Sequence, residues 1–268
     1  MGSWPEYVDR AFRAVYYGGD EEQEIEAFAQ RWQGLEPEAF TRAFEQGTPQ
    51  EKALALFALS YSKSPNAQAL LYRALESVEP MEQWASALCL GERKDEHALP
   101  VLLSCFQEFL PPRTHPLERE GGLYHSWRIR AAVLLGEWGR KDLAPALRQA
   151  LDTAWKLEQA DIVDRKHAWH DYQDALLYAL GQLEAFGALA GFSVPEARLW
   201  LWIVTLVCGS LQARSRYGDL LTEVQINETL KEEISQVLEQ RFGVPAEKRA
   251  SSIDSYAQTY FGRRAWVE

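Results

Sequence analysis

The sequence predicts an all-α protein: an α-solenoid of stacked antiparallel helix pairs with helical caps at both ends. Three observations carry this expectation. Apolar residues recur at three- and four-residue spacing along most of the chain, which marks one buried face per helix. No stretch sustains the period-two alternation of a half-buried strand. A helix–turn–helix pattern also returns in register, since Gly91, Gly136 and Gly181 stand 45 residues apart, as do Pro100 and Pro145. A length of 268 residues with 47% hydrophobic and 25% charged residues suits one continuous stacked domain rather than a disordered chain.

Residues 1–47 read as an acidic helical cap. Trp4 to Tyr17 and Asp20 to Trp32 each form an amphipathic stripe, and Asp20 with Gln23 three positions on is a helix-start signal. The first fifty residues hold ten acidic and four basic side chains, a local charge of −6 out of −11 for the whole chain. Residues 48–192 hold the repeats. Thr48-Pro49-Gln50-Glu51 is a capping box with Pro at the first helical position, and Ser64-Pro65 predicts a second start of the same kind. About four helix pairs follow. Lys52 to Ser60 with Pro65 to Leu71 is the weakest copy. Trp84 to Gly91 with His97 to Leu103, and Ile129 to Gly136 with Asp142 to Leu147, are the strongest. Asp174 to Gly181 is the last, with a second helix expected to begin near Ala188. The first two copies are 31 residues apart and the rest 45, which places insertions at 107–126 and 152–169. In each copy the Gly reads as a helix stop.

Residues 193–268 read as a C-terminal helical cap. The longest apolar stretch, Leu199 to Cys208, holds ten residues against the roughly 20 that span a bilayer, so it reads as a buried helix. Farther on, Asn227 caps a stripe of Leu230, Ile234, Val237, Leu238 and Phe242, stopped by Gly243 and Pro245, and Ile253, Tyr256, Tyr260 and Phe261 continue at helical spacing.

Over residues 48–189 this pattern resembles HEAT repeats. The Ala-rich first segment, Gly, and Ala-Leu-Pro-x-Leu second segment resemble in particular the bacterial variety named after phycobilisome lyases. The resemblance implies that the helices of Trp84, Ile129 and Asp174 line a concave face, and it implies no activity. Di-iron hydroxylases of HEAT type carry a His-Glu dyad just before the repeat Gly. Here the matching pairs are Trp84-Ala85, Ile129-Arg130 and Asp174-Ala175, which argues against that enzyme class.

Two clusters are candidates for function. Tyr124, His125, Trp127, Arg128 and Arg130 gather aromatic and basic side chains at the start of a repeat helix, the residue types that anchor partner peptides. His170 and Asp171 would extend that surface from the next repeat. Alternatively, His125, His167, His170 and Asp171 form a metal set, because Asp164-x-x-His167-x-x-His170-Asp171-x-x-Asp174 puts imidazoles and carboxylates on one helical face. Its spacing matches no established metal motif. Asp174 occupies the place where the sister repeats have Trp84 and Ile129, so a paired carboxylate is expected there, with Arg130 or Arg165 as its partner.

The remaining classes are disfavoured. A charge of −11 and dispersed basic residues oppose nucleic-acid binding. Phosphate loops and GxSxG elbows are lacking. Cys89, Cys105 and Cys208 are too scattered for a disulfide framework, and Met1 to Trp4 shows no leader pattern, so a cytoplasmic protein is expected. The expectation is a non-enzymatic scaffold or adaptor that holds a protein or peptide segment on its concave face without a cofactor; the alternative is a lyase-like or metal-dependent enzyme or cofactor-handling protein built on the His/Asp set, and nucleic-acid binding comes third.

Overall fold

The structure is a computed structural model that describes residues 5–15, 21–62, 66–107, 123–159, 166–189 and 191–195, with Arg198, six residues of the 202–210 stretch, Gln236 and Glu239. Regular structure among the described residues is entirely helical. Among the described residues ten α-helices have defined bounds: α1 (Glu6–Val15), α2 (Glu21–Trp32), α3 (Pro37–Gln46), α4 (Pro49–Tyr61), α5 (Ala67–Leu75), α6 (Pro80–Glu92), α7 (Leu99–Gln107), α8 (Leu123–Glu137), α9 (Ala144–Gln159) and α10 (Lys166–Gln182). No helix among the described residues is long and apolar enough to cross a membrane. The chain divides into two compact units, Met1–Leu134 and Leu135–Glu268.

In the first unit α4 lies at the centre. Ala53 through Leu59 are all fully buried, because α1, α3, α5 and α6 pack around it. A helix enclosed on every side has no polar face to keep, which explains its unbroken apolar run. Its start is the predicted capping box: the Glu51 amide donates to Thr48 Oγ1, and the Thr48 amide donates to Glu51 Oε2 at 2.8 Å. Glu51 also accepts from the Trp32 indole at 2.9 Å and pairs with Arg31 at 3.1 Å, which ties α2 to α4. Burial works against its charge, yet hydrogen bonds from Thr48 and Trp32 and the Arg31 guanidinium hold the carboxyl below the usual glutamate value. Beneath it, Phe28 stacks on Phe40 at 4.9 Å and receives the edge of Phe12 at 5.7 Å.

Several boundaries differ from expectation. The cap contains a third helix, α3, with Pro37 at its first position and Phe40, Ala43 and Phe44 buried. Helix α5 begins at Ala67 behind Asn66, which caps it through no side-chain hydrogen bond, whereas Ser64 and Pro65 lie outside the described residues. The described parts of the two insertions are helix: 123–126 begins α8, 152–159 completes α9, and α10 starts at Lys166. Asp20 and the stripes at 227–242 and 253–261 lie outside the described residues, apart from Gln236 and Glu239.

The repeat register survives in backbone detail. Lys94, Gly139 and Glu184 have φ of 56°, 71° and 54°, and each is 45 residues from the next. Their amides bond back to Gly91, Gly136 and Gly181 at 2.9, 3.0 and 2.9 Å. A 3-10 turn follows at the same offset each time, at Glu96–Ala98, Lys141–Leu143 and Phe186–Leu189. The left-handed residue is therefore the true helix stop, three positions after the repeat Gly.

The repeat glycines have another role, as contact points. A Cβ on Gly91 would press on Leu102 at 3.0 Å and Leu134 at 3.3 Å, from α7 and α8. One on Gly136 would run into Ala179 and Gln182 of α10, and one on Gly181 into the backbone carbonyl of Leu206. Each Gly admits the following helix, so it is required by packing rather than by φ. In the last copy no α-helix starts near Ala188 among the described residues. The 3-10 turn instead gives way to Gly191 at φ 85° and irregular backbone to Pro195.

Candidate functional site

Helix α8 carries the first predicted cluster. Its Trp127 is 2% exposed, donates its indole N–H to the Ala14 carbonyl of α1 at 2.8 Å, and stands edge-on to Phe57 of α4 at 5.6 Å. Arg128 is buried and engaged as well. Arg130 pairs with Glu92 of α6, donates to the Tyr61 hydroxyl of α4, and lies over the Phe57 ring at 5.3 Å. Tyr61 in turn donates to Glu92 at 3.1 Å, and Arg10 of α1 lies over its ring at 5.8 Å. Four helices thus share one polar knot at the edge of the first unit, with Arg130 and Glu92 each nearly 30% exposed.

That knot is built to hold helices together. Burial raises the Tyr61 phenol above its ordinary value, against the pull of Arg130, so the hydroxyl stays protonated and donates to Glu92. Cys89, fully buried beside it, has its thiol pushed up to about 11 by desolvation, which leaves it a packing residue and not a nucleophile. Of the predicted partner contacts, Trp127 and Arg128 lie within the packing and Arg130 lies at its margin.

Tyr124 and His125 lie on α8, and His167 and His170 on α10, but their side chains fall outside the described residues. Asp171 and Asp174 are half-buried and engaged. Partial exposure at Asp174 removes much of the desolvation cost expected of a core carboxylate. The Trp127 group belongs to the first unit, and the His170 group to the second. Among the described residues no group of three or more His, Cys, Asp or Glu could hold a metal ion.

Two polar centres were missed at the sequence level. At the turn after α6, Tyr72 donates to Asp95 at 2.5 Å and His97 Nδ1 lies 2.8 Å from the same carboxylate, whose charge these bonds favour, the Tyr72 bond most. Asp95 also caps the 3-10 turn by accepting from the His97 amide at 3.0 Å, a structural duty. The second centre lies in the second unit. Gln173 of α10 donates to Glu158 of α9 at 2.8 Å, and Arg198 donates to Gln173 Oε1 at 2.9 Å and lies 3.5 Å from Glu158. Gln173 is fully buried, and Glu158 and Arg198 keep only 12% and 17% of their side chains exposed. The available signal was Gln173 itself, a polar residue flanking the apolar run of the last repeat.

No family model matches the chain, and no curated protein or solved structure matches it either.

Proposed function

We propose that this chain is a HEAT-like α-solenoid that acts as a protein-binding scaffold rather than as an enzyme. The observation that supports this reading is the recurrence of one unit in backbone detail: a repeat Gly that seats a following helix, a left-handed residue three positions on, and a 3-10 turn. Units of this kind cannot bury their apolar stripes alone, and stacking them produces a long continuous face suited to polypeptide partners. Glu51, Asp95 and the Arg130–Glu92–Tyr61 group have structural duties.

The chemistry of the surface narrows the partner. Val78 is the one large hydrophobic side chain that is strongly exposed among the described residues. A partner would therefore be held through polar and charged groups, in keeping with a transient interface. With a formal charge of −11, the scaffold favours a basic segment and an association that weakens as salt rises.

The test is crosslinking of the full chain in lysate of its own organism at low and moderate ionic strength, followed by mapping of the crosslinked residues. The expected result is one stoichiometric protein, released by salt, crosslinked at Tyr124, His125 or Arg130, or at His170 or Asp171. Absence of any stoichiometric protein at both salt levels would reject the scaffold reading.

A further inference from the structure

We propose that α1 is a displaceable internal occupant of a helix-binding groove in the first unit, and that the groove's external partner is an amphipathic helix with the pattern of α1. The inference deepens the scaffold reading and rests on it. What motivates it is the place of α1. This helix belongs to no repeat, yet it packs on α4 and reaches α8. Those two are the first helices of their repeat copies, the class of helix that the HEAT resemblance assigns to the partner face.

Helix α1 fills its seat as a docked peptide helix does. Val8, Ala11, Phe12 and Val15, spaced i, i+3, i+4 and i+7, are all buried. Phe12 meets the Phe28 ring of α2 edge-on at 5.7 Å, and Tyr7 meets Phe40 of α3 at 6.2 Å. Ala14 lies in the last turn of α1, where a carbonyl has no partner within its own helix, and the Trp127 indole of α8 supplies one at 2.8 Å. Arg10 lies over the ring of Tyr61, whose hydroxyl donates to Glu92, so this end of the groove suits a cation. The Arg10–Glu6 and Arg13–Asp9 pairs, four residues apart, support α1 as a helix in its own right. An external helix with the same apolar stripe, an arginine two positions after its first apolar residue and its C-terminal end at Trp127 can make the same contacts. With α1 seated, Phe28, Phe40 and Trp127 are buried; with α1 displaced, they form the apolar wall for the incoming helix.

The test uses the full chain and a fluorescein-labelled peptide of residues 4–17, followed by fluorescence anisotropy. In the parent chain the tethered α1 competes at an effective concentration on the order of 1 mM. Phe12→Ser in the full chain loosens the tethered helix and leaves the groove residues intact. This variant should bind the peptide saturably, at least about tenfold more tightly than the parent, and a peptide carrying Phe12→Ser should bind neither chain. Hydrogen exchange on the unmodified chain decides the case in which the variant does not fold. Amides of α1 should exchange at least about tenfold faster than those of α4, because an occupant that leaves its groove opens without global unfolding. Equal protection of α1 and α4, or no saturable binding by a folded Phe12→Ser chain, would overturn the proposal. Dimerisation of the parent chain at the same concentrations, read by light scattering, would assign the groove to a second copy and overturn the external partner. Capture of a lysate protein without peptide binding would reject the groove alone, whereas peptide binding without a lysate protein would leave the groove and reject the scaffold reading.

Discussion

At the scale of single residues, much of the stability rests on side chains doing duty for the backbone. Lys94 occupies a left-handed conformation that costs an L-residue about 1 kcal/mol relative to Gly, whereas its counterpart Gly139 takes the same φ without strain. Lys94→Gly is therefore expected to raise unfolding free energy by about 0.5–1 kcal/mol in denaturant titration, and Gly139→Ala to lower it by a similar amount. Glu51 supplies a pH-dependent term. Its folded carboxyl titrates below the reference value of 4.5, so its contribution is complete above that value and is lost as pH falls through the lower folded value. Glu51→Gln keeps an acceptor for only one of the two donors, Trp32 or the Thr48 amide, so it starts less stable, but it has no charge to lose. Its stability should accordingly fall less between pH 5 and pH 3 than that of the parent chain, as measured by thermal unfolding. The capping box was legible because its partners are three residues apart; the Trp32 contact, 19 residues away, was not.

At the scale of elements, the repeat glycines separate what local pattern conveys from what packing requires. In the sequence they look like stops, since Gly is common at helix ends. In the structure each lies inside its helix, one residue from the end, and the stop is the left-handed residue three positions later. Gly136→Ala and Gly181→Ala should each cost about 2–3 kcal/mol or more, because the added methyl meets Ala179 or the Leu206 backbone, which cannot rotate away. Gly187, with nothing within 4 Å of its would-be Cβ and no positive φ, is the control, and Gly187→Ala should stay within about 0.5 kcal/mol of the parent. Equal losses at all three would show that backbone flexibility, not helix contact, is what glycine provides. Helix α3 shows the opposite limit: Pro37 and the Phe40, Ala43 and Phe44 stripe were readable signals, passed over because the helix belongs to no repeat.

At the scale of the whole molecule, the chain by itself determined the helical class, the 45-residue register, the capping box and the acidic first fifty residues. Those features act within a turn or two of helix, or sum over the composition, so they need no knowledge of what packs where. The acidic balance has its own consequence: solubility should pass through a minimum at acid pH, where the carboxylates that provide the −11 are titrated, as static light scattering would show. Tertiary structure alone decided the fate of the candidate residues. Trp127 looked like a partner anchor, and its indole bonds a carbonyl 113 residues away; Arg130 was expected beside Asp174, and the pairing found is with Glu92 and the Tyr61 hydroxyl. Arg198 attracted no notice in the sequence, yet the meeting of α9, α10 and its own segment makes it the centre of a buried polar group. The reason is physical: helix formation depends on neighbours along the chain, whereas the desolvation and pairing that distinguish a packing residue from a binding residue depend on neighbours in space.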